Sequence, residues 1–297
     1  MSRKPLSAVF RRIVSASLPA ALLVSCGGGA PDNCNPASMP IPANLRLPDG
    51  GVDETALCAL CHAPYDSCVV DTGSGTYVCG YYACSGRRPE GLAALPAGCG
   101  PALGPYFARM AWLEAGSVHA FRRLARELRH HRAPRALVRA AERAARDEIR
   151  HARVTGGLAR RHGARTSTPP AMRFVPRDLE ALALENATEG CAREALGALV
   201  ATWQGATARD PVIRSAMARI AADETRHAEL AFGVFSWAKP RLSRAARKRV
   251  DTARRETLES LAAAAQADPP TSLREPLGLP SAVEWQQLAT ALAQLAA

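Results

Sequence analysis

From Pro105 to about Leu295 the chain sets Ala, Leu, Arg and Glu at the spacing of one helical face, interrupted at a few Pro- and Gly-rich points. This pattern predicts a succession of helices. Their start and stop signals place them at about 105–131, from after Pro134 to Arg161 with Gly163 ending it, 177–206, from Asp210-Pro211 to just before Pro240, 243–267 and 281–295. Only a few residues join the first helix to the second and the third to the fourth, which forces antiparallel neighbours. The link between the second and third has about 14 residues and, fully extended, reaches ~45–50 Å. A 27-residue helix is ~40 Å long. One long crossover can therefore join two antiparallel pairs, and the expected fold class is all-α: a four-helix bundle over 105–238 with extra C-terminal helices over 241–297.

Within this pattern one motif occurs twice, Asp147-Glu148-Ile149-Arg150-His151-Ala152 and Asp223-Glu224-Thr225-Arg226-His227-Ala228. Residues i and i+3 share a helical face, so each Glu-x-x-His aims a carboxylate and an imidazole at one point. Glu114 lies 34 residues before Glu148, and Glu189 lies 35 before Glu224. Four carboxylates and two imidazoles from four helices are the ligand inventory of a dinuclear metal site. Four ionised carboxylates balance two divalent ions, and oxygen and nitrogen donors without thiolate suit iron or manganese. The expected metal ligands are Glu114, Glu148, His151, Glu189, Glu224 and His227. On the third helix Glu185, Glu189 and Glu194 compete, and the repeat interval selects Glu189.

These motifs resemble the ferritin-like superfamily of di-iron carboxylate proteins, which includes rubrerythrins and the hydroxylase subunits of bacterial monooxygenases. The resemblance covers about residues 105–238. It implies a ferritin-like bundle, two iron ions (or manganese, or one of each) and oxidation chemistry with dioxygen or peroxide. It further implies that Asp147 and Asp223 accept the outer N–H of the two histidines, with Arg150 and Arg226 pairing with them. His119 and Glu194, each five residues after a proposed ligand, fall at equivalent places in the two halves and are expected around the ligands. Where rubrerythrins carry a further Glu three residues after the third-helix ligand, this chain has Ala192. An alternative is a metal-binding, iron-handling protein without turnover, and a third is a structural lipoprotein with a degenerate site.

The N-terminal region changes where this chemistry is expected. Arg3, Lys4, Arg11 and Arg12 precede an apolar run from Ile13 to Val24 and then Leu23-Val24-Ser25-Cys26, the layout of an export signal ending in a lipobox. Residues 1–25 are read as the signal and Cys26 as the lipidated first residue, so the membrane is a partner through a lipid anchor in the cell envelope. Removing those four basic residues takes the formal charge from +11 to +7. The arginines that remain lie on helix faces beside acids, without the interleaved aromatics that single-stranded nucleic acid needs, so no nucleic-acid partner is expected. An electron donor and a small-molecule substrate are required, no flavin or nicotinamide fingerprint is present, and a dimer is compatible with the pattern.

Residues 26–50 are a Gly/Pro/Asn-rich tether. Residues 51–100 form an irregular module in which Cys58, Cys61, Cys68, Cys79, Cys84 and Cys99, with Cys34 before them, are disulfide candidates. A short hairpin is compatible with the run at 77–82. Cys58-Ala59-Leu60-Cys61-His62 has the spacing of a c-type haem attachment, but five further cysteines crowd it and no helix frames it, so disulfides are preferred over haem. Cys191 reads as a small core residue.

Overall fold

The computed structural model describes residues 5–18, 39–47, 51–53, 56–57, 65–71, 75–81, 87–89, 92, 103–170, 174–263, 269 and 271–296. The helices expected from the apolar spacing form where charge and capping favour them. Helix α1 is Leu6–Ser17, α2 Leu103–His130, α3 Arg135–Arg161, and α4 Leu179–Glu185. A nine-residue π-helical segment, Asn186–Glu194, continues α4 directly into α5, Ala195–Thr207. Then come α6 Pro211–Ala238, α7 Arg244–Ala263, α8 Thr271–Leu277 and α9 Ala282–Ala296. Asp210 caps α6 as its sequence implies: the side chain accepts from the backbone N–H groups of Val212 and Ile213 at 2.7 and 3.2 Å, with Pro211 in the first turn.

Two elements depart from expectation. The tether and the irregular module together contribute a three-stranded antiparallel sheet in the order β1-β3-β2, with β1 Met39–Pro40, β2 Tyr65–Asp71 and β3 Thr76–Tyr81. Cys68 and Cys79 are register partners across β2 and β3. The alternation of Tyr, Val and Thr in these segments is strand-like, and the density of cysteines obscured it. Cys26, Cys34, Cys58, Cys61, His62, Cys84 and Cys99, and the side chains of Cys68 and Cys79, lie outside the described residues. Residues 271–277, which fall between two of the expected helices, form α8. Gln204 Nε2 donates to Leu277 O at 3.0 Å, and Gly278 follows at φ 62°, where a Cβ would fall 2.4 Å from Ala208 N.

Part of the expected leader is also helical. In α1, Phe10 and Val14 are buried against Leu196, Leu199, Trp203, Leu288 and Leu292. No described helix is long and apolar enough to cross a membrane.

Two antiparallel hairpins, α2/α3 and α5/α6, pack so that apolar side chains form separate layers along their length. Phe107, Met110 and Leu113 meet Ile213, Met217 and Ile220 in one layer. Phe121, Leu124 and Leu128 meet Leu230, Val234 and Trp237 in another. Glu114, Ser117, Glu224 and His227 lie between these stretches on the same helices, so a polar stratum is enclosed above and below by hydrocarbon.

The connection between hairpins ends on a buried ion-pair network. Arg177 donates from its backbone N–H, Nε and Nη2 to the Glu127 carboxylate at 3.2, 2.8 and 3.0 Å, and from Nη1 to Glu185 at 2.5 Å. Arg123 joins from Nε at 3.3 Å to Glu127, and His131 Nε2 contacts Arg177 O at 2.8 Å. Because Glu127 and His131 lie at the end of α2 where α3 begins, Arg177 sits at the opposite end of α3 from Arg161, where that helix stops. Glu185, a competitor for the third-helix ligand, is thereby committed to Arg177 and Arg123.

Burial alone would raise the Glu127 carboxyl, but hydrogen bonds and charge from Arg177, with Arg123, hold it below its ordinary value. Arg177→Ala leaves Glu127 buried with part of its partners gone and is expected to lower stability by ~3–5 kcal/mol at pH 7, measured by the denaturant midpoint. A depressed folded pKa contributes stability above the unfolded value and loses it as pH falls through the folded one. The gap between wild type and Arg177→Ala should therefore narrow below about pH 4.

Candidate metal centre

The repeated Glu-x-x-His motifs sit at matching depths on α3 and α6 and face each other. His151 Nδ1 lies 3.1 Å from Glu224, 3.7 Å from Glu114 and 3.8 Å from Glu148. His227 Nδ1 lies 3.2 Å from Glu148, 3.5 Å from Glu224 and 3.8 Å from Glu194. The imidazole centroids are 5.9 Å apart. Two overlapping donor sets result, Glu114/Glu148/His151/Glu224 and Glu148/Glu194/Glu224/His227, each with its ligand atoms within 4.8 Å of one another. Glu148 and Glu224 belong to both.

Five of the six expected ligands meet here; Glu189 does not. Its carboxylate is partly exposed, bonded to Arg193 at 3.1 Å and to the Arg88 N–H at 3.3 Å, while Glu194, expected around the site, faces into it. The geometry of the hairpin explains the change. Glu194 stands 13 residues before Thr207 at the end of α5, and Glu224 stands 13 residues after Pro211 at the start of α6, so the two are level across the turn. Glu189, five residues earlier, would lie ~7 Å off that level at α-helical rise. The π segment widens the helix just ahead of Glu194, a feature that often accompanies functional sites. Counting from the turn would have found Glu194; transferring the interval from the first hairpin did not. His119 lies apart from the cluster, half-buried on a groove of about 430 Å³ between α2 and α3 beside Arg122 and Arg153. Burial and the nearby Arg122 lower its pKa.

The outer imidazole nitrogens are held crosswise. His151 Nε2 contacts Asp223 at 3.0 Å and His227 Nε2 contacts Asp147 at 3.4 Å, so each aspartate orients the histidine of the opposite helix. Arg150 donates to Asp147 at 2.6 Å and to Asp223 at 3.0 Å. Arg226 donates to Asp147 at 3.3 Å and also to Asp223. The lattice ties α3 to α6 and turns both Nδ1 atoms inward, the role an outer partner of a metal-bound histidine performs. Burial would raise both aspartates; histidine and arginine partners hold them low instead.

The interior of the cluster is unsatisfied by protein. Both oxygens of Glu114, Glu148 and Glu194, one of Glu224, and the Nδ1 of each histidine are buried with no hydrogen-bond partner among the described residues. Such groups carry a large desolvation penalty unless a cation or protons compensate them. The proton affinities record this strain: burial and Glu148 raise Glu114, burial pushes Glu194 up to about 8, and the surrounding carboxylates raise both histidines against the effect of burial. Glu148, by contrast, is held low despite burial, because Glu114 and the two imidazoles close beside it favour its charged form. Convergent, orphaned carboxylate and imidazole donors fit a pair of metal ions of the oxygen- and nitrogen-preferring kind.

Arg87 also reaches the cluster, a residue that nothing in the sequence singles out. It lies outside the helices, is 1% exposed, and places Nε 3.7 Å from Glu194 while Nη2 donates to Asn186 Oδ1 at 2.8 Å. No periodicity or motif marks it. Cys191, beside it, is a buried free thiol pushed by burial up to about 12, which makes it an inert core group.

Metal content separates the two third-helix carboxylates. Glu194→Ala is expected to lose one of two ions, Glu189→Ala to keep both, and Glu148→Ala and Glu224→Ala to lose binding in both positions, measured by elemental analysis after loading and desalting. No family model matches the chain, and neither a curated protein nor a solved structure does, so the cluster itself carries the functional reading.

Proposed function

We propose that this chain is a ferritin-like, carboxylate-bridged di-iron oxidoreductase that uses dioxygen or peroxide, exported and anchored in the cell envelope through Cys26. The observation that carries the reading is the pair of overlapping donor sets sharing Glu148 and Glu224. Glu114 and His151 would hold one ion and Glu194 and His227 the other, with Glu148 and Glu224 within reach of both. Iron held there would supply electrons to the oxidant. The protein's share is to exclude water with the apolar layers on either side, to hold both imidazoles by Asp147 and Asp223, and to keep four carboxylates convergent.

Every candidate ligand is at most 3% exposed. That closure suits a small oxidant and also favours a second reading, metal binding without turnover. The expected result on anaerobic loading with two ferrous ions per chain and exposure to oxygen is rapid iron oxidation that Glu148→Ala abolishes, followed by repeated turnover when a reductant is supplied. A single round of oxidation without turnover favours the second reading; oxidation no faster than in Glu148→Ala sinks the first.

The lipid anchor is tested by mass spectrometry of the N-terminus in membrane fractions, where an acylated Cys26 is expected and a chain still beginning at Met1 counts against it. Processing there would also remove α1 and uncover the apolar face it covers on α5 and α9.

A further inference from the structure

The two halves of the centre match almost group for group: Glu114 with Glu194, Glu148 with Glu224, His151 with His227, Asp223 with Asp147, and Arg150 with Arg226. Arg87 breaks the match. Its guanidinium enters from outside the helical hairpins, lies 5.5 Å over the Phe121 ring, and faces Glu194 through Nε. The close partners of Glu114 are Glu148 and His151, neither of which is a fixed cation.

The fold makes room for this one side chain. A Cβ on Gly190 would lie 2.2 Å from Arg87 Nη2, so only glycine at that place in the π segment admits the guanidinium. Ser117 Oγ donates to Arg87 O at 2.9 Å and Arg88 N–H to Glu189 at 3.3 Å, which fixes the segment on α2 and on the π segment. Asn186 spans the other side: its Oδ1 accepts from Arg87 and its Nδ2 donates to Ala231 O at 2.9 Å. Glu189, displaced from the ligand set, therefore anchors the segment that delivers the arginine.

Resting on the dinuclear reading above, we propose that Arg87 makes the two metal positions unequal: the ion at Glu114 and His151 binds first and tightly, and the position at Glu194 and His227 is the weaker one. Four carboxylates neutralise two divalent ions, so a buried guanidinium leaves one positive charge in excess, located beside the second position. Arg87 competes with that ion for Glu194: Nε faces Oε2, while Oε1 lies 3.8 Å from His227 Nδ1. Arg87 is a positioning residue that acts through Glu194.

Titration of the metal-free full-length protein with Mn(II), followed by the electron paramagnetic resonance of free ion and by calorimetry, tests this. Wild type is expected to take two ions in separate steps, and Arg87→Gln to tighten the weaker step about 10- to 100-fold while leaving the tighter one in place. Arg87→Lys, which keeps the charge, should retain the wild-type separation. Arg87→Met, which also removes the charge, should act like Arg87→Gln and serves if that variant does not fold. Equal steps in wild type, or an unchanged separation in both Arg87→Gln and Arg87→Met, would overturn the role of Arg87 while leaving the dinuclear site standing. Fewer than two ions in wild type would instead overturn the dinuclear reading and this inference with it.

Discussion

Four carboxylates meeting in a stratum sealed by hydrocarbon are the constraint on which the rest of this structure depends. At these separations and with little water, like charges repel strongly, and protons or metal ions must share the pocket. The proton affinities follow from that crowding: Glu114 and Glu194 rise, both imidazoles rise, and the shared Glu148 is held low between them. Much of the surrounding architecture restrains those groups. The Asp/Arg lattice fixes the imidazoles from outside, and the apolar layers keep water away on both flanks.

The π segment decides how the third helix takes part. The turns of α5 set Glu194 level with Glu224, while the π segment before it turns Glu189 outward to Arg193 and Arg88 and opens at Gly190 a place for Arg87. One local change in helical pitch therefore anchors an incoming segment and breaks the near-symmetry of the centre. A regular α-helix through the same residues would do none of these together. The region before the helices, for which composition suggested only a cross-linked appendage, thereby contributes a side chain in contact with a candidate ligand.

Much of the helical fold was legible because apolar spacing and capping act locally. The starts at Arg135 and Pro211 and the stop at Arg161 follow from Pro134, Asp210-Pro211 and Gly163, whose backbone preferences hold in any context. The strands β2 and β3 were less legible because alternation over six or seven residues is a weak signal when cysteines interrupt it. The helix α8 depends on Gln204 reaching Leu277 O, a contact 73 positions away that composition cannot show.

For the centre itself, the sequence alone pointed to the two Glu-x-x-His pairs, because i and i+3 spacing on a helix converts directly into convergence in space, to Glu114 through the repeat interval, and to the two aspartates through the family resemblance. Which aspartate serves which histidine, which glutamate of the third helix turns inward, and the presence of Arg87 were decided only by the tertiary structure. Each of those depends on the level at which two hairpins pack and on a change of pitch within one helix. Neither quantity is written in the spacing of residues along a single element.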